Sequence, residues 1–269
     1  MDTFISKDGT HIAYQQTGSG PALILVHGTS ADHTSWEHTL PIFNHHFTVY
    51  AMDRRGRGGS QPEGDYAIQR EFEDIAGLVA VAHQNDPNQR INLLGHSFGG
   101  LCCLEAAHLT EYIDTLLIYE PPPMGKPEAL PPGLLSKMQQ LYDQGDPEGL
   151  LTTFFRELVG LSADGLDELK SKPSWPDRVA SAHTILREIK ETITLPHFDS
   201  KRYQDLNIRT LLLVGEESPR GRLAINQEIH AALSNSKIVE LPGEGHMAIH
   251  FDPKLFANQI VSLLQGSTT

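Results

Sequence analysis

Gly95-His96-Ser97-Phe98-Gly99 sets a serine between two glycines, behind the apolar run Ile91–Leu94 and ahead of a small and apolar stretch reaching His108. A buried strand that turns sharply into a buried helix would hold this serine in a strained backbone conformation, its Oγ exposed at the C-terminal edge of a sheet. The glycines fit that turn, because side chains two residues to either side would strike neighbouring strands and helix. The amide of Phe98 would open the helix and could donate to a developing oxyanion. A serine serving only as an N-cap would also sit beside packing glycines, but it would not demand the buried strand before it and the buried helix after it. The chemistry predicted is nucleophilic attack on a carbonyl by Ser97.

A serine hydroxyl needs a general base within hydrogen-bond reach. The chain holds 14 histidines, so residue type alone selects none. His246 stands out because Gly243-Glu244-Gly245-His246 is a glycine-rich loop directly after a buried run, able to reach the same sheet edge. His96, His108, His230 and His250 read as satisfied surface or packing residues. His45-His46 lacks the carboxylate or cysteine cluster a metal site needs and reads as a solvated loop. Upstream, Val26-His27-Gly28-Thr29 follows another apolar run. There the Thr29 amide would pair with that of Phe98 as an oxyanion hole, while His27 reads as a structural residue holding the loop. No metal and no organic cofactor is expected.

The surrounding elements must bring these residues together. Phe4-Ile5-Ser6 and His11–Tyr14 flank Asp8-Gly9, a hairpin signal. Apolar runs at 22–26, 47–52, 91–94, 116–119, 211–214 and 237–241 read as strands, the continuous ones buried on both faces. Phe72, Ile75, Ala76, Val79 and Ala82 recur at helical spacing, and Leu255, Phe256, Ile260 and Leu263 form a helix opened by Asp252-Pro253. This alternation predicts an α/β fold with a mostly parallel twisted sheet and helices on both faces. Between Pro121-Pro122-Pro123 and Thr210 only helical patterns occur, at Leu134–Leu141, Leu150–Leu158 and Val179–Ile189. The expected organisation is a core of residues 1–121 and 202–269, with an all-helical cap, 122–201, inserted between the sixth and seventh strands.

Length and composition suit this reading. The 269 residues are 39% hydrophobic and 20% charged, a globular balance. A net charge of −13 argues against nucleic acid or an anionic membrane as partner. Cys102 and Cys103 are adjacent in an apolar run and read as buried small hydrophobes. No secretory signal and no membrane-spanning stretch is read. The expected setting is cytoplasmic, the expected partner a small-molecule substrate, and a homodimer is compatible.

In order along the chain, His27-Gly28, Asp53-Arg54-Arg55-Gly56-Arg57-Gly58-Gly59-Ser60, Gly95-His96-Ser97-Phe98-Gly99 and Gly245-His246 resemble the α/β-hydrolase fold family over nearly the whole length. The resemblance implies a Ser–acid–His triad with Ser97 as nucleophile and His246 as base. It makes the Asp53–Ser60 segment a structural loop; as a phosphate loop it would lack the Lys-Ser/Thr ending. In most members the acid follows the seventh strand, three residues past a glycine. Here Gly215-Glu216-Glu217-Ser218 puts Ser218 in that slot, and a serine cannot carry the charge that orients and stabilises the imidazolium. Glu216 or Glu217 could reach in from a shifted loop, with Glu217 the alternative acid. Glu120, directly after the apolar run 116–119, is favoured on the geometry of the strand ends. The expected activity is hydrolysis of a small or medium apolar ester, lactone or thioester through an acyl-enzyme, with Trp175 and the Leu, Phe and Met side chains of the insertion as pocket candidates. The same triad could serve C–C bond hydrolysis, perhydrolysis or lyase chemistry, or a small-molecule sensor with slow hydrolysis.

Overall fold

A computed structural model describes residues 1–61 and 66–266. Eight strands, β1 (Asp2–Ile5), β2 (His11–Gly18), β3 (Ala22–Val26), β4 (Thr48–Met52), β5 (Ile91–His96), β6 (Thr115–Tyr119), β7 (Arg209–Gly215) and β8 (Ser236–Leu241), form one sheet in the order β1-β2-β4-β3-β5-β6-β7-β8. β1 with β2, and β2 with β4, are antiparallel. Every pairing from β4 through β3 to β8 is parallel, so these strands end at one edge. The helices are α1 (Leu40–Phe43), α2 (Ile68–Asn85), α3 (Phe98–Ala106), α4 (Leu134–Asp143), α5 (Pro147–Thr153), α6 (Ala163–Ser171), α7 (Trp175–Ala180), α8 (Ile185–Thr194), α9 (Ser200–Tyr203), α10 (Arg220–Ala232), α11 (Ala248–Phe251) and α12 (Pro253–Gln265).

The chain forms two compact units. The first holds Met1–Gly28, Asp32–Pro122 and the chain from Phe198 onward; the second holds Thr29–Ala31 and Pro123–His197. In the second unit the described residues are helical or irregular, including a π-helical turn at Phe154–Val159. Its interior contains Leu150, Leu151, Phe155, Leu169 and Ile185. Asp146 caps α5 by accepting from the Gly149 amide at 2.8 Å. Buried Arg178 donates from Nη1 to the Ser30 carbonyl at 3.2 Å, which ties the short 29–31 segment to this unit.

In the first unit, β3, β5 and β6 are buried at every residue, which is why they read as unbroken apolar runs rather than alternating ones. β8 departs from that pattern: it closes the sheet, lacks a neighbour on one side, and is half-buried or exposed up to Leu241. α3 is buried over all nine residues. α12 begins as expected, Asp252 accepting from the Leu255 amide at 3.1 Å with Pro253 in the first turn.

α2 buries its apolar stripe and also Glu71 and Asp74. Their partners come from the loop after β4. Arg54 holds Glu71 with two bonds of 3.1 Å, and Arg55 holds Asp74 with two of 2.7 Å. All four side chains are shielded from water, so the loop Asp53–Ser60 is locked to α2 by charges that would be costly to leave unpaired.

The turn between β5 and α3 is as crowded as its glycines suggest. A Cβ on Gly99 would lie 2.4 Å from the His27 carbonyl oxygen and 2.5 Å from that of Val26; one on Gly95 would meet Gly100 Cα at 2.6 Å. These obstacles are backbone and cannot rotate away. Gly99→Ala should therefore cost about 1–3 kcal/mol in urea unfolding. Gly221→Ala, whose Cβ meets open space, should not lower stability.

Candidate active site

Ser97 is the first residue past β5 and precedes α3, at φ 54° and ψ −123°. A non-glycine residue held there carries strain on the order of 1–3 kcal/mol, which the packed turn must impose. Two bonds impose it: the Ser97 amide donates to the Tyr119 carbonyl at 2.8 Å, and the Gly100 amide donates to the Ser97 carbonyl at 2.8 Å. In the β5–β6 register His96 faces Tyr119, so Ser97 and Glu120 each stand one residue past adjacent strands. Glu120 is itself at φ 47°, a second strained residue on this edge.

Glu120 is fully buried. Its Oε2 accepts from His246 Nδ1 at 2.7 Å and its Oε1 from the Gly215 amide at 2.9 Å. Burial alone would raise its pKa; the His246 bond and charge, the Ser218 side chain and the Gly215 amide outweigh it and bring the carboxyl to about 2. A carboxylate on Nδ1 keeps the proton on that nitrogen and leaves Nε2 as the basic one. Burial holds His246 below the ordinary imidazole range, the nearby Arg222 charge adds to this, and Glu120 pulls the other way. Glu216 and Glu217 are exposed. Glu216 Oε2 accepts from the Gly243 amide at 2.9 Å, and the Glu217 amide donates to the Glu244 carbonyl at 2.8 Å, so both serve the loop's backbone. Ser218 closes the turn after β7, its amide donating to the Gly215 carbonyl at 3.0 Å.

The loop carrying His246 is clamped from the two strands that end beside it. The Tyr119 hydroxyl donates to the Gly245 carbonyl, and His96 Nε2 donates to the His246 carbonyl at 2.9 Å. The His96 and His246 rings lie 4.8 Å apart. Burial holds His96 well below the ordinary imidazole range, so it is neutral and its donor nitrogen is Nε2. His96 is satisfied, as the sequence suggests, but its partner is the catalytic-loop candidate itself. The signal was its place inside the glycine–serine motif, at the end of β5.

On the other side of Ser97, His27 donates from Nδ1 to the Gly28 carbonyl at 2.9 Å and accepts the Arg54 amide on Nε2 at 3.1 Å. That is the structural role expected of it. The Arg54 guanidinium, anchored by Glu71, donates from Nη1 to the same Gly28 carbonyl at 3.1 Å and lies 4.6 Å over the Phe98 ring. Fixing the Gly28 carbonyl also fixes the Thr29 N–H, which points the opposite way in a trans peptide. The motif that contains Arg54 gives no sign of its pairing with Glu71, because the pair joins residues 17 apart through packing.

Among the described residues, Asp32, His33 and Asp53 converge closely enough to suggest a cation site. Three of their carboxylate oxygens are already engaged. Asp53 Oδ1 takes the His33 amide and Nδ1, Oδ2 takes the Gly59 amide, and Asp32 Oδ1 caps Thr34. The group braces a loop. No helix among the described residues is long and apolar enough to cross a membrane.

Residues 23–259 match the model of the alpha/beta hydrolase family, and the chain belongs to that family. An alpha/beta hydrolase from Sphaerobacter thermophilus superimposes with a TM-score of 0.81 at 29% identity, covering 98% of this chain and all of that one, 100%. An uncharacterized protein of Mycobacterium tuberculosis is 30% identical over 117 residues, 43% of this chain and 33% of that protein. A 2-hydroxy-6-oxo-6-(2'-aminophenyl)hexa-2,4-dienoic acid hydrolase of Metapseudomonas resinovorans is 26% identical over 123 residues, 44% of this chain and 41% of that protein. The match thus spans less than half the length of these two relatives.

Glu244, two residues before His246, is buried and its Oε1 meets no donor. Burial, then the charges of Asp252 and Glu217, raise its carboxyl to about 7. An acid whose pKa is raised by folding favours the folded state below its unfolded value, about 4.3, and that stability is lost as pH climbs through the folded value. Glu244→Gln should therefore raise Tm over the unaltered chain by an amount that grows between about pH 5 and pH 8. A gain that stays constant across that range would contradict the assignment.

Proposed function

We propose that this chain is a serine hydrolase acting through an acyl-enzyme on a small or medium apolar ester, lactone or thioester. One observation carries the reading: the His246–Glu120 bond stands at the same sheet edge as Ser97, which is held in a strained turn between close-packed glycines. Ser97 Oγ attacks the carbonyl while His246 Nε2 takes its proton. Glu120 fixes the tautomer and stabilises the imidazolium. The amides of Phe98 and Thr29 receive the oxyanion. His246 returns the proton to the leaving group, then activates water to release the acid. No step requires a metal or an organic cofactor, and the partner is the small-molecule substrate.

C–C bond hydrolysis by the same three residues is the second reading. The relative from Metapseudomonas resinovorans, named as a hydrolase of a substituted hexadienoic acid, favours it.

A fluorophosphonate label followed by peptide mapping should modify Ser97, and Ser97→Ala should abolish labelling. Folded protein that is labelled elsewhere or not at all would overturn the nucleophile assignment. Glu120→Gln should lower kcat on a panel of p-nitrophenyl esters by roughly 10³–10⁴-fold, while Glu217→Gln should leave kcat within a factor of about 2. The reverse pattern would move the acid to the loop after β7.

A further inference from the structure

The element that would ordinarily carry the acid has another use in this chain. The loop after β7 presents Ser218 where the resemblance calls for a carboxylate, yet both ends of this segment turn towards Glu120. At its start the Gly215 amide donates to Glu120 Oε1 at 2.9 Å. Past its end, the first turn of α10 brings Arg222 to the other oxygen, Nε lying 3.8 Å from Glu120 Oε2. That is the oxygen that takes the His246 N–H at 2.7 Å. The Arg222 side chain is 14% exposed and that of Glu120 0%, so water screens this pair weakly.

We propose that Arg222 is a positioning residue for the base: a fixed cation that shares the charge of Glu120 and keeps His246 neutral to lower pH than Glu120 alone would allow. The inference rests on the proposed triad. The physical reason is a count of charges. A guanidinium does not lose its proton in a protein. With Arg222 in place, a protonated His246 puts two cations against one buried carboxylate. Without it, a protonated His246 and Glu120 form a neutral pair, which a buried site accepts more readily.

The other titratable groups around His246 do not supply this effect. From β6, the Tyr119 phenol is pushed far above its ordinary range by burial and stays neutral. From β5, His96 is neutral at working pH. In the loop itself, Glu244 responds to Asp252 and Glu217. Glu120 and Arg222 remain as the charges acting on the imidazole, and they act in opposite senses: burial first and Arg222 second lower His246, while Glu120 raises it.

The test is the titration of His246 by NMR in the full chain, its resonance identified by its absence in His246→Asn. Arg222→Met and Arg222→Gln remove the charge with different side chains; Arg222→Lys keeps it. The unaltered chain should titrate below ordinary imidazole. Met or Gln should raise the value by about one pH unit, and Lys should hold it near that of the unaltered chain. The acid limb of kcat/KM on p-nitrophenyl butyrate should move upward by the same amount. A His246 value unmoved by either neutral variant would overturn the proposal. So would a Lys variant that titrates like Met, or an unaltered chain titrating above ordinary imidazole, a result that needs no variant to fold. A shifted titration without a matching acid limb would leave the role of Arg222 standing and reject His246 as the base of the serine hydrolase.

Discussion

One hydrogen bond, from His246 Nδ1 to a carboxylate with no exposure to water, sets the terms for the rest of this sheet edge. A buried carboxylate is tolerated only if its charge is shared and its lone pairs are filled. Glu120 meets both conditions, through His246 and Arg222 on one oxygen and the Gly215 amide on the other. The loop bearing His246 must then be held still, which Tyr119 and His96 do by gripping successive carbonyls. His96 and Ser97 at the end of β5, and Tyr119 and Glu120 at the end of β6, thus bring the clamp and the candidate nucleophile and acid together from two consecutive positions on each strand end. This follows from parallel pairing: strands running the same way end together, so their first unpaired residues become neighbours.

A second set of buried charges supports the opposite side of Ser97. Arg54 and Arg55 follow β4 and are neutralised by Glu71 and Asp74 on α2. Such pairs contribute little net stability, but removing one partner is costly, so they fix position more than they stabilise. What they fix is the Gly28 peptide, gripped by Arg54 and His27 together. The strain at Ser97 is maintained by the same crowding, since Gly99 lies against the Val26 and His27 carbonyls.

Much of this was legible along the chain. The hairpin, the buried parallel strands and the long helical stretch after β6 appear as contiguous patterns, because a strand covered on both faces must be apolar throughout. β8 misled slightly, its apolar run belonging to a half-exposed edge strand. The contributions that escaped notice share one property: each is a charged or polar side chain whose partner is far away in sequence. Arg54 with Glu71, His96 with the His246 carbonyl, and Arg222 with Glu120 are pairings between elements, and nothing in the residues flanking any of them announces the other.

By itself the sequence determined the strained turn at Ser97, since strand, glycines and helix lie within a few residues and steric exclusion acts locally. It also determined that a glycine-rich loop would present His246 at a strand end. It left two places for the carboxylate, after β6 and after β7, because residue type and local pattern are much alike in both. Only the tertiary structure decided which one meets the imidazole. The sheet order sets β6 beside β5, a further strand closer to Ser97 than β7. Burial there removes the competing water that leaves Glu216 and Glu217 solvated in their loop.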